Sequence, residues 1–465
     1  MKKTLLFMIL FLWALSDYSG LSSTAVLERV KVFQFPSTVA FGDTVGGSDV
    51  WGWTGDDGTE YALMGVLTGI AVVNTSTMEV VTIVPGPTEN DSYYHRDIKT
   101  YKHYAYAVSE NTGENAGLSV FDLQYLPDSV SIVGYFPIDT SGNMRSHNIS
   151  IDTSMGFAYL EGNLFNHVTI LDLSDPELPT FAGTIHDLAI HDLYARNDTV
   201  YLAEGGDPFV YTPYFSIWNL SDKSNPILMV RHEIPDAGYV HTIWPTNNGQ
   251  YVITTEETPG KTVKIWDVSD YSNITMVGEW LGTNRLAHNA QVMDDLLFIS
   301  HYQSGIYIVD ISDPSNPTEI AHYDTYPPGE AAEFNGNWGV YQYTQNGMVF
   351  ASDLEDRLTI LNFNRNPIGI DVDKTMPLRR LSLLGNYPNP FNPSTNINFY
   401  LSESADIQLM VYNIRGELIE TLASGFHNAG EHTYVWSGES VASGVYIYTL
   451  KTSEGLESGK MLLVK

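Results

Sequence analysis

The stretch Ile306-Tyr-Ile-Val-Asp310-Ile-Ser-Asp-Pro-Ser-Asn-Pro317 reads as one β-strand running into a tight turn. Four β-branched or aromatic residues in a row favour extended backbone. The residues after Asp310 favour a turn, because Pro fixes φ and the Asp and Asn side chains can bond backbone two positions on. The phrase recurs as Val168-Thr-Ile-Leu-Asp172-Leu-Ser-Asp, Phe215-Ser-Ile-Trp-Asn219-Leu-Ser-Asp, Val263-Lys-Ile-Trp-Asp267-Val-Ser-Asp and Leu118-Ser-Val-Phe-Asp122-Leu. Weaker copies are Ile70-Ala-Val-Val-Asn74 and Leu358-Thr-Ile-Leu-Asn362. The shared Asp or Asn falls at 74, 122, 172, 219, 267, 310 and 362, a period of about 48 residues. Seven copies at one period make the repeat the unit from which the fold is read.

Each repeat divides into four short β-rich runs. In the sixth they are His288–Met293, Leu296–His301, Gly305–Ile311 and Pro317–Tyr323. Four strands per repeat, seven times over, predict an all-β, seven-bladed β-propeller spanning residues 27–366. The seventh repeat supplies only three strands, 338–343, 348–353 and 358–363, whereas a strand-like segment at 27–36 precedes the first repeat unused. The N-terminal segment is therefore expected to complete the last blade and close the ring, which removes an exposed strand edge.

Outside the repeats the sequence changes character. Lys2 and Lys3 precede an apolar run, Leu5–Leu15, with small residues at Ala14 and Ser16, the pattern of a signal peptide covering residues 1–16. The run is too short to span a bilayer, which takes roughly 20 residues, and no later segment is apolar enough to do so. After a 367–382 linker, residues 383–465 show a separate alternation, with Ile397, Phe399 and Leu401 and then Ile407, Leu409 and Val411 facing inward, as in a small C-terminal β-sandwich.

Composition excludes several functions. Of the 465 residues, 55 are Asp or Glu and 23 Lys or Arg, a formal net charge of −32 that opposes phosphate backbones and so argues against nucleic-acid binding. The absence of cysteine removes disulfides, thiolate metal sites and cysteine nucleophiles. There is no Gly-x-Ser-x-Gly, Walker A or His-Glu-x-x-His pattern.

The repeat superposes two rings of chemistry-bearing residues. The first strands, which line a propeller's channel, open with Trp51, His95, His147, His191, His241, His288 and Trp338. The second strands end at Gly65, Glu110, Glu161, Glu204, Glu256, His301 and Asp353. The start of one antiparallel strand lies beside the end of the next, so four blades are expected to set a His next to a Glu at one mouth of the channel. Imidazole and carboxylate together suit a divalent metal ion, with His95, His147, His191, His241 and His288 as ligands. Glu110, Glu161, Glu204, Glu256, His301 and Asp353 would then serve ligand binding. The same set also fits a cationic ligand, acid–base catalysis, or a structural lining of the channel, and the residues alone leave these readings open.

Two resemblances go further. The turns Val309-Asp-Ile-Ser-Asp-Pro314, with His95-Arg-Asp-Ile-Lys99, Ser146-His-Asn-Ile149, Ala287-His-Asn289 and Ala332-Glu-Phe-Asn-Gly-Asn-Trp338, resemble the LVIVD-repeat propellers of the choice-of-anchor B family. That likeness implies a bacterial surface or secreted propeller and supplies no catalytic residue. Gly385-Asn-Tyr-Pro-Asn-Pro-Phe-Asn-Pro-Ser-Thr395, Tyr412-Asn-Ile-Arg-Gly-Glu-Leu418, Ala442-Ser-Gly-Val-Tyr-Ile-Tyr448 and Lys460-Met-Leu-Leu-Val-Lys465 resemble a type IX secretion system sorting domain. This implies the type IX machinery as a partner and passage across the outer membrane. The expected function is that of a secreted or cell-surface binding module with an unidentified extracellular ligand. The alternative is a metal-dependent enzyme at the His/Glu-lined mouth.

Overall fold

The computed structural model describes residues 25–40, 42–87, 95–161, 167–186, 189–205, 212–327, 331–365, 381–387, 391–401, 404–428, 430–452 and 456–465. The signal-peptide segment 1–16, and residues 367–380 of the expected linker, lie outside them. The chain divides into two compact units, residues 1–369 and 370–465.

The first unit is a seven-bladed propeller of four-stranded antiparallel sheets. Blade six is representative, with strands Ala290–Met293, Leu296–Ser300, Ile306–Asp310 and Thr318–Tyr323. The repeated Asp or Asn explains why the phrase recurs. At the end of the third strand its Oδ1 accepts the backbone N–H two residues on: Ser312 N at 2.8 Å from Asp310, Ser174 N at 2.7 Å from Asp172, Ser221 N at 2.9 Å from Asn219 and Ser76 N at 2.8 Å from Asn74. The side chain thus satisfies a donor that the turning strand would leave unpaired. A second repeated feature lies just before it. In blades one to six the pairing of third and fourth strands shifts by a bulge, between Val72 and Val73, Val120 and Phe121, Ile170 and Leu171, Ile217 and Trp218, Ile265 and Trp266, and Ile308 and Val309. Bulges increase the local right-handed twist of the outer strands.

Blade seven consists of Asn337–Tyr341, Met348–Asp353 and Arg357–Asn364, with Val26–Gln34 paired antiparallel to the last of these from Val26↔Asn364 to Gln34↔Arg357. Leu27 packs with Phe298, Ile306 and Ile308 of blade six, while Phe35 packs with Ala62, Met64 and Val73 of blade one. The N-terminal strand therefore seals both flanks of the closing blade. A hairpin of Thr38–Ala40 and Asp43–Val45, not foreseen from the sequence, leads from it into blade one.

In the second unit, a three-stranded sheet contains Leu381–Tyr387, Ser394–Leu401 and Gly430–Ser437. A four-stranded one contains Ala405–Asn413, Leu418–His427, Gly444–Lys451 and Leu456–Leu463. Their shared core includes Ile397, Phe399, Leu401, Ile407, Leu409 and Val411 with Trp436, the inward set that the alternation picks out. The first strand starts at Leu381, inside the stretch read as linker.

Candidate functional site

The five histidines and Trp338 form a closed collar of rings. Successive centroids are 4.3 Å apart from His95 to His147, 4.8 Å to His191, 4.0 Å to His241, 4.3 Å to His288, 4.2 Å to Trp338 and 4.7 Å back to His95. Backbone groups of neighbouring blades fix the rings. His288 Nδ1 lies 2.6 Å from Trp338 O, and His191 Nδ1 lies 3.3 Å from His241 O. Only a protonated nitrogen can bond a carbonyl, so both Nδ1 atoms carry the hydrogen and Nε2 keeps its lone pair. Thr242 Oγ1 gives its hydrogen to Asn289 Oδ1 (2.6 Å), and so accepts from His241 Nδ1 at 3.1 Å. Burial holds His95, His191 and His241 well below the usual imidazole range, helped by neighbouring imidazoles, and takes His288 down to about 3. These imidazoles are neutral at physiological pH.

Trp51, expected as the seventh member, is not in the collar. In blade three Ile149 pairs with Leu160, and Glu161 N bonds Asn148 O. In blade one Val50 pairs with Met64, and Gly65 N bonds Asp49 O. The residue equivalent to His147 is therefore the fully buried Ser48, and Trp51 lies deeper, against Tyr341, Tyr343 and Lys99 Nζ.

The carboxylate ring departs further from the expected His–Glu pairs. Glu110 alone follows it, with Oε1 2.5 Å from His147 Nδ1 of the next blade. Glu204 accepts from Arg231 Nε at 2.8 Å, and Glu256 is fully buried against Lys264 and Gly238 N. His301 packs against Trp280 and Tyr307. Asp353 accepts from Thr325 Oγ1 at 2.6 Å and faces Arg357, while burial pushes its carboxyl up to about 7. Glu204, Glu256 and Asp353 have polar partners of their own and His301 is packed among aromatic rings, and none of the four lines the channel cavity. Glu161 is fully buried, and neither of its oxygens has a hydrogen-bond partner among the described residues. Burial and the nearby Glu110 hold it well above the usual carboxylate range.

The residue that sequence reasoning missed is Glu257. A bulge between Val240 and Ile243 shifts the register of this hairpin, so Glu256 turns into the blade and its neighbour reaches the collar. Glu257 Oε1 is 3.9 Å from both His241 Nε2 and His288 Nε2, and it accepts from Tyr302 Oη. Burial raises its carboxyl to about 7. Two His–Glu–His groups result, His95/Glu110/His147 and His241/Glu257/His288, each with ligand atoms within 4.8 Å of one another. Glu110, Glu161 and Glu257 all act electrostatically on Tyr239, which stands beside His191.

The collar lines a cavity of about 220 Å³ that continues past Asp49, Asp97, Lys99 and Asp192 to Tyr194, Trp244 and Tyr343. The acids of this bore join blades together: Asp97 Oδ2 accepts Ile149 N at 2.7 Å, and Lys99 Nζ bridges Asp97 at 2.5 Å and Asp49 at 3.2 Å. Burial raises Asp192 to about 7.

The LVIVD repeat matches residues 284–325, which contain blade six, and the secretion system C-terminal sorting domain matches residues 386–465. A solved structure from Kuenenia stuttgartiensis hydrazine synthase is similar with a TM-score of 0.51 at 11% identity, over 71% of this chain and 99% of that one, a likeness of fold alone. No curated protein matches the chain. Together with the blades, these findings define an LVIVD-repeat β-propeller. The protein carries a type IX secretion sorting tail, which gives it an extracellular or cell-surface location and implies contact with that machinery. No helix among the described residues is long and apolar enough to cross a membrane.

Proposed function

We propose that the protein is an extracellular binding module that receives a small, positively charged ligand at the mouth of the propeller channel. The supporting observation is the collar itself: four imidazoles, His95, His191, His241 and His288, kept neutral by burial, beside the carboxyl groups of Glu110, Glu161 and Glu257, with no Lys or Arg among the collar residues. Neutral imidazole lone pairs, and buried carboxyl groups that release a proton when a cation arrives, accept positive charge, and the net charge of −32 draws cations toward the surface. Residues 1–16 serve as signal peptide, 27–366 as the binding propeller of choice-of-anchor B type, the stretch from 367 up to the strand at Leu381 as linker, and the C-terminal β-sandwich as export address.

Calorimetric titration of the full exported chain with divalent cations and with alkylammonium ions tests this reading. Binding that weakens in Glu161→Gln and Glu257→Gln supports it; no binding by either class at millimolar concentration refutes it. A metal-dependent enzyme at the same mouth is the second reading, favoured by the two three-ligand groups, since catalytic metal centres keep three protein ligands and an open position. Metal-dependent turnover lost in Glu257→Gln would favour it.

A further inference from the structure

We propose that His241, His288 and Glu257 form a mononuclear divalent-metal centre. This deepens the cation-binding reading and rests on it for the kind of ligand. Collar geometry first excludes an ion on the channel axis. A six-membered ring with sides of 4.0–4.8 Å puts its centroids about 4.4 Å from the centre, and imidazole nitrogens lie only about 1.1 Å off their centroid, against a metal–nitrogen bond of about 2.1 Å. An ion must therefore sit off the axis, between adjacent imidazoles and a carboxylate.

Of the two such groups, the one in blades five and six is prepared for metal. Both Nδ1 hydrogens are committed, His288 to Trp338 O and His241 to Thr242 Oγ1, so both Nε2 lone pairs are available. Each stands 3.9 Å from Glu257 Oε1. Tetrahedral ligands at about 2.1 Å lie about 3.4 Å apart, so each of the two carboxylate–imidazole distances needs to shorten by only about half an ångström to close on an ion. The outer contacts that orient metal ligands are also present: a carbonyl on one imidazole, a hydroxyl on the other, and Tyr302 Oη on the carboxylate. His288 Nε2 is buried with no hydrogen-bond partner among the described residues, a cost that a bound cation removes. In the opposite group, His147 Nδ1 is already hydrogen-bonded to Glu110. Two imidazoles and one carboxylate suit Zn²⁺ or Co²⁺, and both histidines line the channel cavity, so the ion is reachable from it.

The test is titration of the full chain with Zn²⁺, and with Co²⁺ followed by its visible d–d bands. One ion should bind per chain, with tetrahedral Co²⁺ bands. His288→Ala and the isosteric Glu257→Gln should each weaken binding more than about 100-fold, and Tyr302→Phe about 10–100-fold, while Glu110→Gln leaves it unchanged. An ion that survives Glu257→Gln in a folded protein, or is lost only in Glu110→Gln, overturns the assignment. If alkylammonium ions bind and neither metal does, the metal centre falls and the channel reading stands; if nothing binds, both fall.

Discussion

Truncating Leu27 and Phe35 should open the propeller at its seam. Leu27 lies near the start of Val26–Gln34 and Phe35 directly follows its end, and each is only 7% exposed. Leu27 fills the junction of blades six and seven, and Phe35 that of blades seven and one. Emptying such sites costs about 2–5 kcal/mol for Leu→Ala and about 3–5 kcal/mol for Phe→Ala. They belong to different clusters, so the losses should nearly add, to about 5–10 kcal/mol in the double variant. That matches the whole stability of a typical domain, about 5–15 kcal/mol. Val32, 37% exposed on the same strand, is the control, and its Ala variant should change stability by under about 0.5 kcal/mol. Urea unfolding followed by tryptophan fluorescence reads the propeller, because Trp51, Trp53, Trp218, Trp244, Trp266, Trp280 and Trp338 lie in it and only Trp436 lies in the tail. If Leu27→Ala and Phe35→Ala move the midpoint no more than Val32→Ala, the N-terminal strand is an ornament and the ring is closed by something else.

Removing residues 381–465 should leave a folded propeller with an unchanged denaturant midpoint for its own tryptophans, held in the periplasm; normal export of that chain would refute the address. Lys99→Met strands Asp49 and Asp97, and should cost about 3–5 kcal/mol, read by denaturant midpoint, whereas the same change in an Asp49→Asn, Asp97→Asn background should cost far less; an equal cost in both would refute the pairing. Burial raises Asp356 to about 8, against the partial opposition of Arg96 and with help from Glu355. Its folded form thus holds a proton that the unfolded chain releases near pH 4. Stability should fall as pH rises from about 4 to about 8 and then level off; Asp356→Asn should flatten that slope and raise the melting temperature at pH 8. An unchanged slope would show that Asp356 ionises freely in the fold.

The fold was legible because its unit is local. Asp310 and its counterparts each close a turn with a bond two residues away, so each copy had to keep the same residue, and the period follows. The fourth strand of blade seven was legible by elimination, since 27–36 was the one strand-like run left over. The site was legible only where side-chain alternation stayed in step with the repeat. The five histidines kept step and meet. Ser48 replaced Trp51 because the hairpin of blade one pairs three residues out of the expected phase. Glu257 replaced Glu256 because a bulge reverses which side chain faces the channel, and a bulge leaves no mark in the residue types. Glu204 and Glu256 were misread for a related reason: Arg231 and Lys264 stand on outer strands whose register a pattern of first and second strands cannot convey.

The most direct measurement is a crystal structure of the full chain grown with Zn²⁺ and recorded above and below the zinc absorption edge. The anomalous difference map should show one peak at the channel mouth, within about 2.1 Å of His241 Nε2 and His288 Nε2 and bonded to Glu257 Oε1. A map with no peak between His241, His288 and Glu257 at saturating zinc, even with one elsewhere in the collar, would contradict the account.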